Sequence, residues 1–270
     1  MNCEQLKRKS DKTRAGRLAS CRRLSALNGF LAGLTILMGF ACMGCFGTHI
    51  GMWDDEAFKS TDFGPPQTVH VSVYLDQGVT RDEAMDLMQT TIDEDSKYYN
   101  INVVPEGFGQ LERPGFFHDQ ILQKVASIPL TGSCDRVFYF AHRNAGDYLY
   151  AAAPVVTGVP LPEVLGEVDD ATMTHGFAYA ENDGINSLMM GGPSSVTRHE
   201  FYHLVGSCSH AWTMDQCYQR ISSLKHLAQD SDGFFPSMSE DAQHVFKTRG
   251  QVNVALGDST PNADVAANQR

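Results

Sequence analysis

Positive charge is scarce over most of this 270-residue chain. Eight of its 21 Lys and Arg fall in residues 1–23, beside only Glu4 and Asp11, which leaves 13 basic against 30 acidic side chains in everything that follows. Phosphate contacts need Lys and Arg, so a body this acidic is a poor nucleic-acid binder and none is expected as a partner. Cysteine is also scarce there. Cys3, Cys21, Cys42 and Cys45 lie near the N-terminus, and only Cys134, Cys208 and Cys217 remain in the body. Three cysteines cannot make a disulfide scaffold, so the fold has to rest on a hydrophobic core, which a chain of this length can supply. There is no internal repeat, and the 42% hydrophobic, 20% charged composition is that of an ordinary globular protein rather than a collagen, a coiled coil or a disordered chain.

Charge of either sign is missing from Leu24 to Trp53, a stretch whose apolar centre is FLAGLTILMGFACMGCF, residues 30–46. A basic head followed by such a stretch reads as a signal peptide or a single membrane-spanning anchor. The excess of Lys and Arg before it leaves the N-terminus in the cytoplasm and the rest of the chain outside. The expected organisation is a basic cytoplasmic head (1–23), a signal anchor or signal peptide (24–46), a linker (47–66), a globular domain (67–250) and a disordered polar tail (251–270). Small residues precede Cys42 and Cys45, as at a lipoprotein processing site, so cleavage would give a secreted or lipid-anchored form. An oxidising compartment permits a disulfide; Cys208 with Cys217 is the closest pair in sequence, and other pairings with Cys134 stay open.

Within the domain, alternation at Val69, Val71, Val73 and Leu75 predicts a half-buried strand. Thr80-Arg-Asp-Glu83 is a capping box opening a helix to about residue 97, with Ala84, Leu87, Met88, Thr91 and Ile92 on one face. Further strands are expected at 100–104, 137–141, 148–156 and 174–181, with a hairpin return at 186–190. Helices are expected at 118–127, 195–205, 215–227 and 240–247. The span between 156 and 174 reads as loop. The order of elements gives an α+β (α/β-like) fold, a mixed twisted sheet packed on helices.

The 195–205 helix carries His-Glu-Phe-Tyr-His at 199–203. On a helix, His199 and His203 share a face one turn apart and can reach one ion. Glu200, beside the first histidine, projects next to that ion, where a general base accepts a proton from metal-bound water. Catalytic zinc needs a third protein ligand and an open position for the water. Gly206 can take the left-handed conformation that ends a helix, and the turn brings His210 round as the third ligand. Asp215, Asp230 and Glu240 are the carboxylate alternatives for that position.

HExxHxxG at residues 199–206 resembles the zinc signature of the metzincins, HExxHxxGxxH. The third histidine departs from it: Ser209 stands at the family position and His210 comes one residue later. The resemblance implies a zinc (Zn2+) endopeptidase that hydrolyses peptide bonds through a zinc-activated water, with Glu200 as base. It also implies the zinc helix at a cleft, an edge strand that aligns a peptide or protein substrate (174–181 or the hairpin to Met190), and a methionine turn beneath the metal (Met214 or Met238). Cysteines near the third histidine also occur in the archaemetzincin branch, whose full cysteine pattern this chain lacks. Two other readings stand beside this one. One is an HExxH hydrolase of another clan with a carboxylate third ligand; the other is a non-catalytic, membrane-anchored envelope or binding protein on the same fold. His70, His118, His142, His175, His226 and His244 show no ligand spacing and read as surface or hydrogen-bonded residues. Phe201 and Tyr202 read as packing residues, while Tyr218 is a tyrosine that could reach an oxyanion. The sequence leaves the oligomeric state open.

Overall fold

A computed structural model describes residues 50–157, 164–181, 192–211, 213–229 and 233–259. All of them belong to one compact unit, Gly47–Arg270. The expected head and anchor lie outside the described residues, as does the hairpin expected at 186–190. No helix among the described residues is long and apolar enough to cross a membrane.

The body is a five-stranded sheet between two layers of helices. Strand β1 (Gln67–Leu75) runs parallel to β2 (Ile101–Gln110) on one side and β3 (Arg136–Ala141) on the other. β5 (His175–Tyr179) continues in parallel beside β3, and β4 (Gly166–Val168) closes the order β2-β1-β3-β5-β4 as an antiparallel outer strand. Alternate residues of these strands feed opposite cores, as a period of two requires. Val69, Val71, Val73, Leu75, Phe138, Phe140 and Ala178 face the larger one. It also takes side chains from α2 (Arg81–Tyr99), α5 (Pro193–Gly206) and α6 (Asp215–Ala228). Val137, Tyr139, Ala141, Phe177 and Tyr179 face the smaller core, with Ile121 and Val125 of α3 (His118–Ala126) and Val252 and Leu256 of α7 (Arg249–Ser259).

The capping box at Thr80 forms: its Oγ1 accepts the Glu83 N–H at 3.2 Å. Asn100, with φ 53, ends α2 and turns the chain into β2.

Four stretches fold differently from expectation. Residues 148–156 belong to a helix, α4 (Ala145–Thr157). Asn144 Oδ1 accepts from Gly146 N and Asp147 Oδ2 accepts from Asn144 N, a reciprocal cap written in the sequence, and the alanine run 151–153 suits a helix interior. Residues 240–247 are not a helix. They make a turn through Ala242 (φ 58) and a short antiparallel pair, β6 (Ser237–Met238) with β7 (Val245–Phe246). The last helix comes later, at α7, where a disordered tail was expected. Thr248 Oγ1 caps Gln251 N there, and Asn253 exchanges two hydrogen bonds with the Leu130 backbone. Finally, residues 50–66, expected as a linker, are held against the body. Ile50 and Phe63 are buried, and Trp53 and Phe58 of the segment around α1 (Asp55–Ser60) make ring contacts with Tyr98 and Tyr218.

One buried cation ties the end of α5 to the sheet. Arg136 is 0% exposed, and its guanidinium donates to the carbonyls of Leu204 (2.7 Å), Asp135 (2.8 Å), Phe235 (2.9 Å) and Pro236 (2.7 Å). Leu204 lies in the last turn of α5, where carbonyls lack helical partners and positive charge is favoured. Burial lowers the Arg136 pKa to about 10, which still leaves it charged at neutral pH. Arg136→Lys is expected to destabilise the fold by about 2–3 kcal/mol, because one ammonium cannot serve four carbonyls and those left over are buried unpaired. Denaturant unfolding checks it; a change under about 0.5 kcal/mol, the level of an ordinary surface substitution, would mean the fork is dispensable.

Candidate metal site

Helix α5 begins at Gly192, whose φ of 97 suits a glycine, followed by Pro193 at the first helical position. One face of α5 packs inward: the Phe201 ring lies 4.8 Å from Phe138. Another face meets α2, where the Tyr99 and Tyr202 hydroxyls are 3.1 Å apart, Arg198 donates to Tyr202, and Arg198 pairs with Glu94. Burial, outweighing the nearby Arg198, raises the Asp95 pKa in this contact to about 7. These contacts fix the rotation of α5 and leave His199, Glu200 and His203 on its remaining face.

The three histidines meet. His199 Nε2 lies 3.1 Å from His210 Nε2 and 3.3 Å from His203 Nε2, and one ligand atom from each ring lies within 4.8 Å of the others. The His203 Nδ1–H donates to the Cys208 carbonyl at 2.5 Å, which leaves the Nε2 lone pair facing the cluster. Burial, then the nearby His210, lowers the His203 pKa to about 4, and burial lowers that of His210. Both shifts favour the neutral ring, the form that binds a metal. Zinc–imidazole bonds of about 2.0–2.1 Å in tetrahedral geometry set ligand nitrogens about 3.3 Å apart, close to the two separations from His199. The residues therefore fit a metal ion, and three imidazoles with a fourth position left over are the donor set of a catalytic zinc site.

Glu200 is 6% exposed, so its carboxylate is almost wholly out of water. Burial first, and the Glu167 carboxylate second, push its pKa up to about 8. A dication held by the histidines would act in the opposite direction. Room for Glu200 comes from Gly166 of β4: a Cβ there would lie 2.7 Å from Glu200 Cγ and 2.7 Å from the Phe177 carbonyl. Asp170 and Glu240 lie near enough to His210 to favour its charged form, and Glu240 N–H donates to Asp170 O at 3.0 Å.

The turn after the helix differs from expectation. Gly206 is the last helical residue, and the left-handed conformation falls on Ser207, with φ 48. Glycine at 206 has a packing reason instead, since a Cβ would collide with Cys208 Sγ and come within 2.8 Å of Ile221 Cγ1. Cys208 is bonded to Cys217 of α6, and Cys134 is a buried free thiol.

The other sequence candidates fall elsewhere. Asp215 accepts from Thr213 Oγ1 at the start of α6, and Asp230 lies outside the described residues. His175 is fully buried between Thr174 Oγ1 and the Ile128 carbonyl, both at 2.8 Å. Tyr218 sits in the aromatic cluster with Trp53, Phe58 and Phe63, a packing position. Met214 is buried at the start of α6, and Met238 N–H donates to Ser207 Oγ. Of the two candidate edges, the hairpin to Met190 lies outside the described residues, and 174–181 is not an edge. β5, within 174–181, lies inside the sheet between β3 and β4, and the outer strand is β4, in the span read as loop. Sequence reading missed Gly166, Glu167 and the Cys208 carbonyl. A lone glycine before a carboxylate in a three-residue strand gives no periodic signal.

No family model and no curated protein matches the chain. Among solved structures, it is similar to the crystal structure of archaemetzincin from Methanopyrus kandleri, with 12% sequence identity and a TM-score of 0.36 over 60% of this chain and 96% of that one. A likeness at that level identifies neither a family nor an activity.

Proposed function

We propose that this chain is a zinc-dependent endopeptidase of metzincin-like design, acting outside the cytoplasm. The observation that carries the reading is the convergence of three imidazole nitrogens, from His199, His203 and His210, beside the buried carboxylate of Glu200 on the same helix. Structural metal sites close their coordination with four protein ligands, whereas a three-ligand site next to a base is built for hydrolysis. When bound, the metal supplies Lewis acidity, which brings a water proton within the range of a carboxylate base.

The chain's own residues do the rest. Glu200 takes that proton on its carboxylate and returns it to the leaving amine. The Cys208 carbonyl keeps His203 in the tautomer that presents Nε2. Gly166 lets β4 approach Glu200, and β4 offers its backbone as an outer strand to which an extended peptide adds. The Cys208–Cys217 disulfide supports an oxidising compartment, and the basic head with the uncharged stretch after it supports export and attachment to a membrane.

The test is metal analysis of the purified chain with a broad peptide-cleavage screen, run with and without a chelator. The expected result is one zinc per chain and cleavage that the chelator abolishes and added zinc restores. Cleavage indifferent to the chelator would remove the metal from the reaction.

A further inference from the structure

We propose that the Cys208–Cys217 disulfide is a positioning element of the three-histidine site, so that the chain acquires its full affinity for a divalent metal only once that bond has formed. The inference rests on reading the histidine cluster as a metal site. Two of the three imidazoles depend on the segment that follows α5. His210 is carried by it, and His203 is oriented by its Cys208 carbonyl, 2.5 Å from Nδ1. That segment is thinly held. Ser207 is fixed, since its carbonyl accepts from Arg220 (2.5 Å) and its hydroxyl from Met238 N–H (2.9 Å). Ser209, His210 and Ala211 make no backbone hydrogen bond among the described residues. Beyond Ala211 the chain is caught again at Thr213, bridged to Met52, so the covalent tie two residues before His210 and that bridge three residues after it bracket the third ligand.

What the tie holds on to is rigid. Cys217 lies on α6, which is anchored in the larger core by Tyr218, Ile221 and Leu224. Cys208 is fully buried, and its sulfur fills the space that Gly206 leaves by having no side chain. The bond thus sets where the Cys208 carbonyl points and where the segment carrying His210 departs. With two thiols in its place, the Ser209–Ala211 backbone is free to move away from α6, and ordering it again opposes metal binding. Formation of the bond is thiol–disulfide exchange with a disulfide oxidant. The two cysteine thiols become one S–S bond, the oxidant's S–S bond breaks, and it leaves as two thiols carrying the two hydrogens.

The experiment compares the oxidised full chain, the same chain reduced with a phosphine, and Cys208→Ser/Cys217→Ser. Cobalt(II) and zinc affinities are measured by competition with a chelator, cobalt absorption reports ligand geometry, and circular dichroism with thermal unfolding reports the fold. Loss of outer-shell support costs metal sites about 10–100-fold in affinity, and that drop is expected in both dithiol and diserine forms. Weakened tetrahedral cobalt bands, an unchanged circular dichroism spectrum and recovery on reoxidation of the reduced chain are expected with it. Equal affinity in all three forms, with free thiols verified by titration, overturns the proposal. So does a sulfur-to-cobalt charge-transfer band in the reduced chain, which would mean that the thiols themselves hold the metal. Unfolding of both dithiol and diserine forms where the oxidised chain is folded also overturns it, because the bond would then serve the whole fold. Failure of the oxidised chain to bind either metal has a different meaning: it removes the metal site itself.

Discussion

Glu200→Gln is expected to lower peptide hydrolysis by about 10³-fold while leaving one zinc per chain, because a positioned general base contributes roughly 10²–10⁴-fold and the amide has the same shape but cannot take the proton. The loss should fall on kcat, with KM little changed, since Glu200 belongs to the chemistry rather than to substrate binding. A second effect belongs to the metal-free protein. Burial and Glu167 raise the Glu200 pKa from the ordinary 4.5 to about 8 when no cation is near. Between those two values the folded chain binds a proton that the unfolded chain has released, so this group makes stability fall as pH rises through that window. Below about 4.5 both states are protonated and the contribution vanishes; above about 8 the cost of a buried charge is complete. Glutamine carries no such cost. Chelated wild type and variant should therefore match in denaturant unfolding at pH 4.5 and separate progressively towards pH 9, the variant being the more stable. Parallel curves across that range would show Glu200 to be solvated, and unchanged hydrolysis would remove it from the reaction.

The parts of this molecule that were legible in its sequence are those governed by near neighbours. The strand at Val69–Leu75 shows because every second residue is buried, and α2 shows because Thr80 and Glu83 satisfy each other's backbone. The site helix was equally plain, since two histidines four apart share a face in any α-helix. The failures have two kinds of cause. The helices over 148–156 and after 251 are local in origin, since each starts at a cap of near neighbours, Asn144–Asp147 and Thr248–Gln251. β4, by contrast, has three residues and exists because β5 offers it an edge. Arg136 is in the same position: nothing near it in sequence announces that its partners are Leu204, Phe235 and Pro236. Gly206 was noticed for a turn that in fact falls on Ser207, and its real constraint, the sulfur of Cys208, depends on a bond between distant residues.

That dependence on distant contacts makes His210 the informative ligand to remove. His199 and His203 are carried on one face of α5, and the segment after it only orients the His203 ring, whereas His210 reaches them from that irregular segment, one residue beyond the metzincin spacing. His210→Ala is expected to lower zinc affinity by more than the roughly 100-fold that loss of an outer-shell partner alone can cost, and to abolish cleavage at micromolar zinc. Fold stability of the metal-free protein should stay near wild type, since the His210 side chain lies at the surface end of the cluster. Retention of one zinc at unchanged affinity would hand the third position to a carboxylate. Glu240 and Asp170 are then the residues to replace next, because both lie close enough to favour a positive charge at His210, whereas Asp215 is engaged by Thr213. A moderate outcome is also decisive. If zinc stays bound but cleavage is lost, a carboxylate can substitute as ligand without restoring the charge balance around Glu200: three neutral imidazoles leave a dication its full charge, and a carboxylate in place of one of them cancels half of it.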